Sequence, residues 1–177
     1  MNVKSAQFGY AGIYPSVDST AFVAQNASLV GDVSVGKDAS IWYGAVLRGD
    51  VDKIVVGDST NIQDLTVVHT DRAQGSTEIG MCVTVGHSCI LHACTIMDYA
   101  FVGMGSIVMD RAVMERESML AAGSLLTKGK VVKTGELWAG RPARMLRMLT
   151  DEEILHLRES AENYVALARE YLSSLGA

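Results

Sequence analysis

Three of the four histidines in this 177-residue chain, His69, His87 and His92, fall close together in the sequence. Neutral imidazole is the commonest protein ligand for metal ions. Three of them, with a fourth position left to water, make the ligand set of a catalytic zinc site. Cys82, Cys89 and Cys94 stand nearby, but they are odd in number and form no CxxC pair, so they read as structural. Whether the histidines can share an ion depends on the elements that carry them. His156 lies on a separate C-terminal segment and is given no role.

Those elements come from a repeat. Read in sixes from Ala21, the chain runs AFVAQN, ASLVGD, VSVGKD, ASIWYG and AVLRGD, and the third position is always a large aliphatic residue. After an insertion, Val51 to Lys53, it resumes as IVVGDS, TNIQDL and TVVHTD. A second insertion, Arg72 to Ser76, precedes TEIGMC, VTVGHS and CILHAC. The apolar column is then Val23, Leu29, Val35, Ile41, Leu47, Val56, Ile62, Val68, Ile79, Val85 and Leu91. Beyond it the register slips back by one and continues as Ile96, Val102, Val108, Met114, Leu120, Leu126 and Val132. A sixfold period rich in β-branched residues predicts short parallel strands with one side chain per strand pointing into a shared interior. Three hexapeptides make one triangular coil of a parallel β-helix, and Gly36, Gly57, Gly80, Gly86 and Gly103 are expected to serve its tight corners.

The spacing then becomes geometry. His69 and His92 both follow the inward residue and lie 92 − 69 = 23 positions apart; removing the five-residue insertion leaves 18, one coil. They therefore stack on adjacent coils about 4.8 Å apart. Arg48 precedes His69 by one coil plus the three-residue insertion, and Asp64 precedes His87 by one coil plus five. Asp50 is placed to pair with Arg48, and Gln63 adds a neutral donor and acceptor beside Asp64. His87 belongs to another face and cannot reach the same ion within its own chain. A homotrimer with its axis parallel to the prism would bring His87 of one subunit to His69 and His92 of the next.

Composition and charge narrow the class. Fifteen basic residues against twenty acidic ones give a formal charge of −5, without the basic bias of a nucleic-acid or anionic-membrane binder. No run approaches the roughly 18 apolar residues of a spanning helix, and a cytoplasmic protein is expected. Thr150 and Glu153 form a capping box, and Ile154, Leu157, Ala161, Tyr164, Ala168, Tyr171 and Leu175 recur at helical steps. Two units follow: residues 1–149 as the β-helix with a short lead-in, and residues 150–177 as a helix packed along it.

The strings AVLRGD, NIQDLTVVH and GHSCILH resemble those of the gamma-class carbonic anhydrases, over about residues 13 to 146. The resemblance implies a mainly β fold, a left-handed β-helix, assembled as a homotrimer with metal at the subunit interfaces. It implies that His69 and His92 of one subunit and His87 of its neighbour hold zinc, with iron or cobalt as alternatives, for the hydration of CO₂ to bicarbonate. By the same resemblance Arg48 and Asp50 form an intersubunit salt bridge, Asn61 and Gln63 shape the water or bicarbonate site, Asp64 supports it, and Tyr164 faces the metal. Two departures stand out. Val51 occupies a position that is Glu in the pattern, and the loop between the first two histidines lacks its acidic run, leaving Asp71 and Glu78 as its carboxylates. Two alternatives remain open: a metal-binding member that does not hydrate CO₂, and a coenzyme A dependent acyltransferase, whose closing segment AGRPARMLR resembles.

Overall fold

The computed structural model describes residues 6–174, so the outer ends of both expected units, with Leu175 among them, lie outside the described residues. The chain winds into a triangular prism of stacked parallel strands followed by a helix, α1 (Asp151–Ser174). One face stacks the starts of Ser28–Val35 and Val46–Val56 with Val67–His69, Ile90–His92, Ile107–Val108 and Leu125–Leu126. The second stacks the ends of those two long strands with Thr77–Ile79, Thr95–Ile96, Val113–Met114 and Val131–Val132. The third runs from Phe22–Val23 through Ser40–Ile41, Asn61–Ile62, Thr84–Val85, Phe101–Val102 and Met119–Leu120 to Glu136–Gly140. An antiparallel strand, Ala143–Met148, turns back on that last one and ends the stack.

The expected inward column is the core. Leu29, Ile41, Leu47, Ile62, Val68, Val85, Leu91, Val102, Val108, Met114, Leu120, Leu126 and Val132 are all fully buried. Val23 is half-buried because it sits on the first, open rung of its face. The insertion Val51 to Lys53 is taken up inside the continuous strand Val46–Val56 by an irregularity opposite Gly31 to Val33. The second insertion closes on itself, with Asp71 Oδ1 accepting from the amides of Ala73 and Gln74.

The glycines carry a different constraint from the one expected. Gly57 is not a left-handed residue; the left-handed corner in its coil falls on Ser59 at φ 57°. What Gly57 supplies is closeness. A Cβ there would come within 2.5 Å of the Gly80 carbonyl group on the next coil. The stacked backbones approach too closely for any side chain.

The third face is covered by α1. Phe22 and Trp42 point outward from the prism yet are buried beneath the helix, where Trp42 meets Tyr164 and Tyr171 edge-on at 5.6 and 5.2 Å. The helix begins as a capping box: Glu153 N donates to Thr150 Oγ1, and Thr150 N donates to the Glu153 carboxylate. Leu157, Ala161 and Ala168 are its buried positions, with Ile154, Tyr164 and Tyr171 partly buried on the same stripe. No helix among the described residues is long and apolar enough to cross a membrane.

Candidate metal centre

Strand pairing sets His69 and His92 directly opposite one another, and Arg48 opposite His69, so Arg48, His69 and His92 form one column at the outer end of the first face. The two imidazole rings lie 5.3 Å apart, and His69 Nδ1 faces His92 Nε2 at 3.3 Å. Each ring is held from its other nitrogen by a carboxylate. His69 Nε2 is 3.0 Å from Asp50 Oδ1, and His92 Nδ1 is 2.6 Å from Asp110 Oδ1.

A carboxylate only accepts, so a ring nitrogen bonded to one carries the proton, and in a neutral ring the other nitrogen is then bare. The 3.3 Å contact therefore points two lone pairs at each other. A hydrogen bond cannot satisfy both without an added proton; a cation between them can. Two nitrogens bound at 2.0 to 2.1 Å to a tetrahedral ion are roughly 3.3 to 3.4 Å apart, which matches the observed separation. Imidazoles backed by carboxylates are the usual form of metal-ligating histidine.

His87 repeats the pattern elsewhere. It sits at the corner between the third and first faces, its Nδ1 is 2.8 Å from Asp64 Oδ2, and its side chain is 47% exposed. Within one chain it does not join His69 and His92, and among the described residues no group of three His, Cys, Asp or Glu side chains converges on an ion position. Between the His87 corner and the His92 edge, Leu65, Val67, Ile90 and Met104 stand exposed at 40% or more, an apolar strip running beside the histidines.

The remaining expected residues fall into two groups. Arg48 and Asp50 are paired within the chain, where the resemblance implies a bridge between subunits; alternate residues of one strand share a side, and Arg48 Nη1 reaches Asp50 Oδ2. Burial pushes the Asp50 carboxyl up, but hydrogen bonds from His69 and Arg48 outweigh it and hold the group below its ordinary value. Asn61, Gln63, Asp64 and Tyr164 gather under the helix side of the same corner. Asn61 Nδ2 donates to Thr84 Oγ1 and Val83 O, while its Oδ1 accepts from Gln63 Nε2 at 3.0 Å. That fixes the Gln63 amide, whose Oε1 makes no hydrogen bond among the described residues. Burial, with the Asp64 charge behind it, pushes the Tyr164 phenol up.

Asp110 was missed by the column rule. The one-residue slip after Leu91 puts Met109, not Asp110, in the His92 column, and Asp110 reaches back from the next corner. The raw spacing, 110 − 92 = 18, was the available signal. Two of the cysteines are structural in position: Cys89 and Cys94 are buried, and burial pushes their thiols up to about 11 and about 12.

Fold and site together define a hexapeptide-repeat β-helix with a facing pair of histidines that could hold a metal ion and a third histidine turned outward. No family model matches the sequence. It is 51% identical over 164 residues to gamma carbonic anhydrase 2, mitochondrial, of Arabidopsis thaliana, covering 90% of this chain and 59% of that protein. It is 41% identical over 146 residues to a probable carbonic anhydrase of Methanocaldococcus jannaschii, covering 82% of this chain and 91% of that one. Among solved structures, a hexapeptide transferase family protein from Anaplasma phagocytophilum matches with TM-score 0.92 and 71% identity, covering 95% of this chain and 99% of that one. The chain belongs to the gamma carbonic anhydrase family. It spans about three fifths of the Arabidopsis relative's length.

Proposed function

We propose that the protein is a metal-dependent carbonic anhydrase, acting as a homotrimer in which His69 and His92 of one subunit and His87 of the next hold zinc or a similar divalent ion. The observation that carries this reading is the 3.3 Å approach of two imidazole nitrogens, each left bare by a carboxylate on the other side of its ring. The exposed apolar strip beside the histidines supports the assembly, because contact with a neighbour would bury it. When bound, such an ion supplies the Lewis acidity that lets water ionise near neutral pH.

The chain's own residues then orient the reaction. Gln63 Oε1, held in place through Asn61, accepts an O–H from the water to be ionised and so directs an oxygen lone pair toward CO₂. The Tyr164 phenol, ordinarily near 10 and pushed further up by burial, is protonated at neutral pH and serves as a donor to bicarbonate. Each CO₂ hydrated releases one proton, and the departures at Val51 and in the loop before His87 leave buffer as the main carrier. That slows turnover more than binding.

The test is metal content per chain together with stopped-flow CO₂ hydration on wild type, His87→Ala and His92→Ala. About one divalent ion per chain, lost with activity in both variants, is expected. Metal without hydration would assign the protein to non-hydrating members of the family. Undiminished hydration in His92→Ala would overturn the site.

A further inference from the structure

Three carboxylates each hold one histidine ring, and two of them, Asp50 and Asp64, occupy places that the repeat defines. Asp110 is the third and makes the shortest of the three contacts, 2.6 Å to His92 Nδ1. Its backbone is pinned between coils: Gly129 N donates to Asp110 O, and the adjacent Arg111 N donates to Ala93 O. Its side chain is 18% exposed, and its second oxygen faces Lys128 Nζ at 3.9 Å. No other acceptor holds His92 Nδ1 among the described residues.

We propose that Asp110 is the positioning residue for His92, holding its imidazole in the Nδ1–H form so that Nε2 stays bare and turned toward His69. The proposal rests on the metal reading above. Strand pairing fixes only the His92 backbone; the ring can still turn about its last side-chain bond, and either nitrogen can carry the proton. Which nitrogen does so is set by the hydrogen bond the ring makes. Asp110 makes that bond from a rigid corner, and Lys128 offsets its charge from the far oxygen without competing for Oδ1. With Asp110 gone, the proton is free to move to Nε2, the nitrogen that must be bare to bind.

The experiment has two readouts on the full-length chain. The first is the tautomer of His92 in metal-free, ¹⁵N-labelled protein at about pH 8.5, above the ordinary histidine range, with its signals assigned through His92→Gln. Wild type is expected to carry the proton on Nδ1, Asp110→Ala on Nε2, and Asp110→Asn again on Nδ1, because the amide oxygen still accepts. The second is Zn²⁺ affinity against a chromophoric chelator, where Asp110→Ala is expected to lose roughly 10- to 100-fold and Asp110→Asn clearly less. A purely structural corner would change melting and leave both readouts alone.

Should Asp110→Ala not fold, Asp110→Ser keeps a turn-forming side chain too short to reach the ring and reads the same way. Wild-type zinc affinity and an Nδ1 proton in the truncated variant would overturn the proposal while leaving the metal centre standing. A wild type that binds no zinc, but whose His92 proton still moves on truncation, would sustain the positioning role and remove the metal reading instead.

Discussion

Trp42→Ala tests how α1 is held. Trp42 is 4% exposed, and the rings of Phe22, Tyr171 and Tyr164 lie 5.0, 5.2 and 5.6 Å from it. Truncating a buried tryptophan costs about 3 to 5 kcal/mol. For a chain of this size each kcal/mol moves the melting temperature by about 2 to 4 °C, so a fall of roughly 6 to 20 °C is expected. The loss should be local, because coils of a solenoid contact only their neighbours. The helix lies on the strands Phe22–Val23, Ser40–Ile41, Asn61–Ile62 and Thr84–Val85, so amide exchange should quicken there and in α1 while the last coils stay protected. Tyr164 reports the same event. Its phenol is raised first by burial, so loosening the helix should bring its absorbance titration back toward about 10. Melting within about 2 °C of wild type, with α1 protection unchanged, would refute the argument. The helix would then be held mainly by the Leu137, Leu149 and Leu157 cluster and the Arg158–Glu117 and Arg169–Asp38 pairs.

Three further outcomes are expected. Gly57→Ala drives a methyl group into the Gly80 carbonyl and should cost about 1 to 3 kcal/mol, read as a lower urea midpoint. Alkylation of the native protein followed by mass spectrometry should label Cys82 first and reach the buried Cys89 and Cys94 only on unfolding, since the thiolate is the reacting form. Hydrogen bonds from Arg147, then from the Thr150 amide, hold the Glu153 carboxyl down at about 2 against an ordinary 4.5. A depressed carboxyl stabilises above its unfolded value, so the melting difference between wild type and Glu153→Gln should be full above about pH 4.5 and vanish as pH falls through about 2.

The interior was legible because each core residue recurs at the same step, and a β-helix converts that step directly into a column. His69 over His92 and Asp64 beside His87 followed from subtracting insertions. What the repeat could not show is what happens between columns. Asp110 lies one residue out of register, so stacking arithmetic passed over it in favour of Met109. Trp42 sits in an outward column, and only the path of α1 makes it core. Gly57 looked like a corner glycine, yet the constraint on it comes from the coil above, through a distance that no single hexapeptide contains.

Strand stacking also limits what one chain can ligate. Successive side chains of a column are about 4.8 Å apart, so two neighbours can turn their rings toward one point, and the ring planes of His69 and His92 stand at 49° to each other. A third ligand from the same column would start another coil away, and here the preceding place is held by Arg48, a cation. In the proposed site the ligand set would therefore have to be completed from another direction. His87 is suited to that because its carboxylate partner fixes the ring while the opposite nitrogen makes no hydrogen bond among the described residues. In the proposed trimer, binding the ion and joining two subunits become one event, so each should strengthen the other: chelation should loosen the assembly, and an assembly broken at the Val67 and Ile90 strip should release the ion.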